Sequence, residues 1–282
     1  MLSILIPTYN YDCSSLVYDL DTMCSRAGIE YEIIVGNDGS TTNMQNLKNL
    51  SQTLANFRFL DFEENRGRSI IRNTLAREAK FEKLLFIDSD MKVYKTDFIQ
   101  LYIKENSPIV AGGIKVLEDK NPTYILHKKY EKNRSTNIAT TQNLLVRKDV
   151  FNEIRFIENV KKYGYEDIIF SHRLDKMYGI KFIYNPLIHN GPIPTETFIE
   201  RIGESTEVLM ELYKDEKYHK DIIESSKLLR TYLKIKKVKG LYLLLFRLSR
   251  RFIVQQLRSK NPSMFLMDLY KLGLLCEYSR RV

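Results

Sequence analysis

Two carboxylates stand one residue apart directly after an apolar run, where the segment LLFIDSD places Asp88 and Asp90 behind residues 84–87. An apolar run of this kind is typical of an interior strand, so both acids leave the sheet at the same strand end. Mg²⁺ and Mn²⁺ prefer oxygen ligands, and one or two carboxylates often hold them beside substrate phosphates. The pair therefore predicts a divalent-cation site. The alternative is that both acids only begin a polar loop.

Polar side chains also follow two earlier apolar runs. Thr-Tyr-Asn at 8–10 and Asn-Asp-Gly at 37–39 close the first and second predicted strands. In a parallel sheet, ligands bind beyond the carboxyl ends of the strands. We therefore expect 8–10, 37–39 and 88–90 to form one site.

The elements that must position these residues alternate strictly along the first third of the chain. We predict strands over 3–9, 31–38, 57–62 and 83–90, and helices over 14–27, 43–55 and 69–79. Strand and helix in turn indicate crossover connections and an α/β fold, with a mostly parallel sheet that helices cover on both faces.

The pattern after residue 91 is more mixed. We predict strands over 108–116, 143–151 and 180–190 and a helix over 167–176, and helical periodicity continues from about Thr195 to the end. A domain boundary near residue 195 is the expectation.

Composition narrows the class of protein. The chain of 282 residues is 44% apolar and 28% charged, as in globular proteins. It has three cysteines, and this small, odd number argues against a disulfide scaffold. The opening MLSILIPTYN has no basic leader and predicts a strand rather than a secretion signal, which indicates a cytoplasmic protein. Residues 228–282 hold 13 Lys/Arg against two acids, while residues 1–227 hold 31 against 33. Nucleic-acid binding by the main body is therefore not expected.

Five motifs in order carry a family resemblance: IPTYN, VGNDGS, ENRGRSIIRN, DSD and GYED. Together they resemble the family-2 nucleotide-sugar glycosyltransferases of the GT-A fold, over roughly residues 1–190. The resemblance implies a Rossmann-like GT-A domain over 1–195, with a nucleotide-binding half at 1–90 and an acceptor half at 91–195, followed by a helical region at 196–282.

The resemblance also implies a pocket for a UDP-sugar donor. Asp38 is expected at the uracil edge, where a carboxylate accepts the imide N–H, and the alternative is an Asx-turn before Gly39. Arg72 is expected to donate to the nucleotide, and the alternative is a helix-surface arginine. The whole predicted set is Pro7, Thr8, Tyr9, Asn10, Asp38, Arg72, Asp88 and Ser89.

A Mn²⁺ or Mg²⁺ ion is the implied cofactor. In relatives the last acid of the D-x-D motif is the direct ligand, so Asp90 is the expected ligand. Asp88 is the second candidate and also faces the ribose or donor sugar. His189 matches the position at which many relatives supply a further ligand, and the alternative is a structural strand-end histidine.

The GYED motif resembles the segment in which relatives carry the catalytic acids. Asp167 is the expected general base for the acceptor hydroxyl, and Glu166 is expected to hold an acceptor hydroxyl. Tyr163 and Tyr165 are expected to stack on sugar. The alternative is that both acids only complement the dipole at the start of a helix. Attack opposite the leaving group implies inversion at the anomeric carbon.

The acceptor and the tail are less closely defined. The chain has EIRFIEN at 153–159 where relatives often have GGFDE, so a saccharide and a lipid-linked acceptor both remain open. Within 228–260, leucines at helical spacing alternate with basic residues, which predicts a helix on an anionic membrane at the inner face; the alternative is a helix that packs its apolar stripe on the catalytic domain.

Two other functions use similar residues. A nucleotidyltransferase acting on a sugar phosphate also binds metal on a parallel sheet, but a glycine-rich phosphate loop is expected there, and the first strand here ends in PTYN. A glycan-binding module without catalysis has no need of Asp90 together with Asp167.

Overall fold

The computed structural model describes residues 1–117, 121–134, 139–160 and 164–281. The chain forms two compact units. The first comprises Met1–Leu117, Ser135–Asn159 and Arg173–Gly191, and the second comprises Glu118–Arg134, Val160–His172 and Pro192–Val282. Two segments that precede residue 192, 118–134 and 160–172, thus group with the C-terminal helices. Tyr163 lies outside the described residues.

The elements follow in chain order. The strands are β1 (Leu2–Thr8), β2 (Tyr31–Asp38), β3 (Phe57–Phe62), β4 (Lys83–Ile87), β5 (Met91–Val93), β6 (Ile109–Ala111), β7 (Ile114–Lys115), β8 (Asn143–Arg147), β9 (Lys181–Phe182) and β10 (Leu187–His189). The α-helices are α1 (Ser14–Ala27), α2 (Gln45–Thr53), α3 (Arg68–Glu78), α4 (Phe98–Ile103), α5 (Ile125–Arg134), α6 (Lys148–Glu153), α7 (Glu166–Tyr178), α8 (Thr195–Lys214), α9 (His219–Ser225), α10 (Lys227–Ile235), α11 (Lys239–Leu257) and α12 (Met264–Arg281).

The first unit is built on a seven-stranded sheet in the order β3-β2-β1-β4-β8-β6-β9. The pairs β3·β2, β2·β1, β1·β4 and β6·β9 are parallel, and only β8 runs antiparallel to its two neighbours. The predicted α/β class with a mostly parallel sheet is confirmed.

Side chains of β2 alternate between the two faces of the sheet. Ile33 and Val35 belong to the core cluster that includes Leu16 and Leu20 of α1. Gly36 points the other way, where an added Cβ would lie 2.8 Å from Ile71 of α3. Helices therefore cover both faces, as the alternating pattern predicted.

Three predicted strands are shorter than expected, for local reasons. The strand over 83–90 ends at Ile87, because the backbone turns from Asp88 to Met91 with a 3.2 Å hydrogen bond. The strand over 143–151 ends at Arg147, where α6 begins. The strand over 180–190 is two short strands, β9 and β10.

The predicted strand over 108–116 is also two strands, in different sheets, because Gly112 and Gly113 break it. Gly113 has a positive φ of 76°, and a Cβ on Gly112 would lie 2.7 Å from the carbonyl oxygen of Asn185. The buried amide of Asn143 donates to the carbonyls of Gly113 and Asn185, both at 2.8 Å. The resulting β7 joins a three-stranded sheet in the order β5-β10-β7, in which Met91 pairs with His189.

The second unit is helical. Within it α8 packs against α5, α9 and α12, and α11 packs against α12. The helical region predicted from residue 195 is confirmed, whereas α4 and α5 were not predicted. No helix in the described part of the chain combines the length and the apolar character required to span a membrane.

Candidate active site

The strand order brings the three predicted strand ends together. β1 lies between β2 and β4, and all three run parallel. Their carboxyl ends, at Thr8, Asp38 and Ile87, therefore lie at one edge of the sheet. Sequence reasoning predicted this edge because each strand is a buried apolar run that ends in polar residues.

Asn10 ties the end of β1 to the loop after β2. Its Oδ1 accepts hydrogen bonds from the backbone N–H groups of Thr41 and Thr42 at 2.8 and 3.3 Å, and its own N–H donates to Ser40 Oγ at 2.7 Å. It adopts a positive φ of 53°, which asparagine tolerates better than most residues. Asn10 therefore holds two walls of the predicted donor pocket together.

The other predicted residues of this wall differ in exposure. Thr8 is buried and donates through Oγ1 to the carbonyl of Tyr11 at 2.7 Å. Tyr9 is 50% exposed, so its ring is open to a ligand. Pro7 and Ser89 are both half-buried, the latter within the turn after β4.

Asp38 is buried, and both of its carboxylate oxygens accept backbone hydrogen bonds. The donors are the N–H groups of Arg66 and Gly67, at 2.8 and 2.9 Å, directly before α3. Gly39 follows with a φ of 70°, and a Cβ there would lie 2.5 Å from the backbone nitrogen of Asn65. Asp38 thus anchors the start of α3. This contact differs from the local Asx-turn, and the contact with uracil stays a prediction.

Arg72 and Asp88 form a buried ion pair. Arg72 is 3% exposed and donates through Nη2 to Asp88 Oδ1 at 2.7 Å. Burial raises the pKa of Asp88, but the charge of Arg72, that of Arg68 and the hydrogen bond together outweigh it, so the pKa lies below its ordinary value. The interpretation of Arg72 as a helix-surface residue is wrong.

The guanidinium of Arg72 has donor capacity left. Its Nε and Nη1 are buried and make no hydrogen bond within the described residues, while its Cζ lies 5.5 Å from the centre of the Phe156 ring. Buried donors normally have partners, so unmet ones beside a carboxylate indicate a place for a ligand acceptor. This observation supports the prediction that Arg72 faces the donor.

Asp90 and His189 lie side by side at the same edge. His189 Nε2 is 3.0 Å from Asp90 Oδ2, and His189 is 6% exposed while Asp90 is 32% exposed. The antiparallel pairing of β5 with β10 places them together, and the backbone N–H of Asn190 donates to the carbonyl of Asp90 at 2.9 Å. A carboxylate beside an imidazole nitrogen suits a divalent cation. The donor set of Asp90 and His189 therefore fits the implied Mn²⁺ or Mg²⁺ ion.

The predicted catalytic acids belong to the second unit. Glu166 is buried, and its Oε2 accepts from the backbone N–H of Gly164 at 3.1 Å. Asp167 is half-buried at the start of α7, and its Oδ1 accepts from the N–H of Ile168 at 2.8 Å. Tyr165 has a positive φ of 69°, an uncommon conformation for a tyrosine that often marks a functional site.

Sequence reasoning missed two residues of the first unit. Arg68 stands at the start of α3 and lowers the pKa of Asp88; its signal was a second arginine in the motif ENRGRS. Gly191 lies against Asp90, where an added Cβ would be 2.6 Å from Oδ2. Its signal was only the dipeptide Gly-Pro after the predicted ligand histidine.

Comparisons with known proteins bear on the family and the fold. The family model described as Glycosyl transferase family 2 matches residues 3–166. Chondroitin synthase from Escherichia coli is 28% identical over 130 residues, which is 44% of this chain and 19% of that protein. The chain therefore spans about a fifth of that relative's length.

Two solved structures share the fold. TarS 1–349 from S. aureus has a TM-score of 0.52 and 17% identity, over 99% of this chain and 91% of that chain. The mannosyltransferase PcManGT from Pyrobaculum calidifontis, in complex with GDP-Man and Mn²⁺, has a TM-score of 0.56 and 16% identity, over 97% and 86%. At these identities the likeness shows the fold alone, which confirms the predicted GT-A architecture.

Proposed function

Because the chain belongs to glycosyl transferase family 2, we propose that it moves a hexosyl or N-acetylhexosaminyl group from a UDP-sugar to a hydroxyl group. The proposed acceptor is a saccharide or a lipid-linked molecule, and the transfer inverts the anomeric centre. The proposed process is the synthesis of a cell-surface polysaccharide or glycan. TarS has been solved in complex with UDP and with UDP-GlcNAc, and the curated relative is a chondroitin synthase. Residues 1–195 form the proposed catalytic domain, with nucleotide-binding and acceptor halves at 1–90 and 91–195.

The observation that carries this proposal is the group of charges at one sheet edge. The Arg72–Asp88 pair and the Asp90–His189 pair both lie where β1, β2 and β4 end. A sugar nucleotide combines a base, a ribose and a charged diphosphate, and this edge offers a cation, acids and an exposed aromatic ring to them. The proposed donor residues are Pro7, Thr8, Tyr9, Asn10, Asp38, Arg72, Asp88 and Ser89.

The proposed metal ligands are Asp90 and His189, with Asp88 as a further ligand. Mn²⁺ or Mg²⁺ bound there supplies a Lewis acid for the negative charge that grows on the leaving diphosphate. The protein's own contribution is to hold Asp90 at 3.0 Å from His189 and to keep Asp88 ionised through Arg72. Arg72 offers its remaining N–H groups to phosphate or ribose oxygens.

In the proposed reaction, the acceptor oxygen bonds to the anomeric carbon while the bond from that carbon to the diphosphate oxygen breaks. UDP leaves with the electron pair, and the acceptor proton passes to the carboxylate of Asp167. Glu166 orients the acceptor through a hydrogen bond to one of its hydroxyl groups. Attack from the side opposite the diphosphate inverts the anomeric centre.

The test is a screen of nucleotide-sugars for metal-dependent nucleotide release, with and without acceptors. We expect UDP release that Asp167→Asn reduces by at least about 100-fold, the usual contribution of a general base. Asp175→Asn, on the exposed side of the same helix, is the matched control and should keep full activity. Near-normal turnover in Asp167→Asn contradicts its role as base.

The same screen separates the competing functions. A nucleotidyltransferase would consume a nucleoside triphosphate and release pyrophosphate, and a binding module would release nothing. Only UDP formation from an intact UDP-sugar agrees with the proposal.

We also propose that the enzyme works in the cytoplasm at the inner face of a membrane, where a lipid-linked acceptor is available. The support is the basic character of residues 228–282, which hold 13 Lys/Arg and only two acidic residues. An anionic leaflet attracts such a segment, and each lysine or arginine near it adds about 1 kcal/mol.

A further inference from the structure

The helix α11 has one face buried in the second unit. Leu243, Phe246, Ile253 and Leu257 are all at most 4% exposed. Phe246 lies against α12, where its ring centre is 5.9 Å from that of Tyr270 and Gly273 leaves room for it. These residues account for the packing of α11 within its unit.

The opposite face of α11 carries a second apolar surface that no described element of the second unit covers. Five side chains form this apolar stripe, each 56–76% exposed: Leu241, Leu244, Leu245, Leu248 and Phe252. At 3.6 residues per turn they fall within an arc of about 100° and extend about 16 Å along the helix. The stripe is therefore not used for packing within the second unit.

An arginine groove adjoins the stripe on one side. It is an open cavity of about 640 Å³ lined by Arg250, Arg251, Val254, Gln255 and Arg258. Exposed leucines and a phenylalanine beside arginines on a single helix are the combination that amphipathic helices use at a membrane surface.

Two glutamates offset part of the charge of this groove. Arg250 donates to Glu277 at 3.2 Å, and Arg247 lies 3.7 Å from the same carboxylate. Arg258 donates to both oxygens of Glu196, at 2.8 and 2.6 Å. Arg251 makes no hydrogen bond or ion pair with any residue in the described ranges, so four arginines face two acids and one guanidinium has all its donors left.

We propose that α11 lies flat on an anionic phospholipid leaflet, with the apolar stripe at the acyl boundary and the arginine groove around lipid phosphate groups. The inference rests on the proposed membrane location and names the surface responsible. A second copy of the chain is a poor occupant, because two identical arginine rows would repel each other. An apolar protein partner would leave Arg251 unpaired, whereas a lipid phosphate satisfies it.

The orientation follows from the helix itself. Lys234, Lys236 and Lys237 are exposed just before α11, so basic residues also stand at the N-terminal end of the stripe. The stripe then sinks to the acyl boundary while the charged flank stays at the head groups. Residues 1–227 hold 31 Lys/Arg against 33 acids, so their net charge adds nothing to this attraction.

The test is partitioning of the full chain onto vesicles of phosphatidylcholine alone and with 30% phosphatidylglycerol, measured by co-flotation. We expect binding to the anionic vesicles only, weakened about fivefold by Arg251→Gln and about tenfold by Leu248→Gln. The matched controls are Lys220→Gln, an exposed lysine on α9, and Met177→Gln, a 62% exposed side chain on α7. Both controls should bind as the unaltered chain does.

UDP release in solution, with a water-soluble acceptor, is measured on the same proteins and should be equal in all of them. If that activity persists while no protein binds anionic vesicles, or while Arg251→Gln and Leu248→Gln bind as well as their controls, the inference is wrong and the proposed reaction stands. If vesicle binding behaves as expected but no nucleotide is released, the docking surface stands and the proposed reaction is wrong.

Discussion

The ion pair between Arg72 and Asp88 provides the sharpest test of the candidate site, through the substitution Asp88→Asn. This change removes one negative charge and keeps an acceptor oxygen at the same place. Arg72 would then be a cation that is 3% exposed, with two further nitrogens, Nε and Nη1, that already lack hydrogen-bond partners in the described structure. Removing one partner of a buried pair costs about 3–5 kcal/mol. Since Asp88 keeps 19% exposure, the lower end, about 3 kcal/mol, is expected.

The assay is urea unfolding at pH 7, followed by far-UV circular dichroism. A chain of this size should unfold with a slope near 3 kcal/mol per molar urea, so the midpoint should fall by about 1 M. The control is Asp149→Asn in the exposed ion pair Arg147–Asp149, in which the Arg147 side chain is 48% exposed and the Asp149 side chain is 61% exposed. Asp149→Asn should leave the midpoint nearly unchanged, because exposed pairs contribute little.

Acid titration adds a second measurement. The folded-state pKa of Asp88 is lowered, so its contribution is fully present above the unfolded value near 3.9 and is lost as the pH falls through the folded value. The difference in the free energy of unfolding between the unaltered chain and Asp88→Asn should therefore stay constant from pH 7 to about 5 and shrink below about pH 4. A stability gap that grows in acid contradicts the assigned shift.

A double-mutant cycle isolates the pair. Arg72→Met replaces the guanidinium by an unbranched side chain that can pack on Phe156. In that background Asp88→Asn should cost little, since no buried cation remains. An equal cost with and without Arg72, or an unchanged midpoint in Asp88→Asn alone, would refute the reasoning.

Three further outcomes are expected at single positions. Gly191→Ala should push Asp90 aside, because the added Cβ would lie 2.6 Å from Asp90 Oδ2. Metal-dependent UDP release should then fall at least about tenfold. The control is Gly203→Ala, where the nearest atom to the added Cβ is 3.9 Å away, and it should leave UDP release intact. Asp90→Ala should abolish Mn²⁺ binding in calorimetry with UDP present, and unchanged binding contradicts its assignment as a ligand. Gly273→Ala should cost about 1–3 kcal/mol in urea unfolding, because its Cβ would overlap the Phe246 ring; equal stability would contradict the close packing of Phe246 on Gly273.

Much of the sheet could be predicted from the sequence because its central strands β1, β2 and β4 are buried on both faces. The predicted bounds 31–38 and 57–62 are those of β2 and β3, and 14–27 are those of α1. Such runs are defined by their own residues and by the polar residues at their ends. The strand-end motifs followed, since parallel strands of one sheet end at one edge.

The elements of the second part of the chain were predicted less accurately from the sequence, because they depend on distant contacts. The break at Gly112 and Gly113 is set by the amide of Asn143, some 30 residues further on. The apolar residues of 108–116 do not by themselves indicate a contact with Asn143. Likewise α4 is only six residues long and α5 is mostly polar, so neither shows a strong helical period.

The sequence by itself determined the α/β class, the edge at which the strand-end residues gather and the basic character of the tail, because these depend on local composition and period. Only the tertiary structure decided that Arg72 is buried against Asp88 and that Asp90 meets His189 across 99 positions. It also decided that Leu241, Leu244, Leu245 and Leu248 of α11 are exposed while Leu243 and Leu257 are buried. Those outcomes depend on which surfaces other elements cover, and coverage is a property of the packed chain that no single segment encodes.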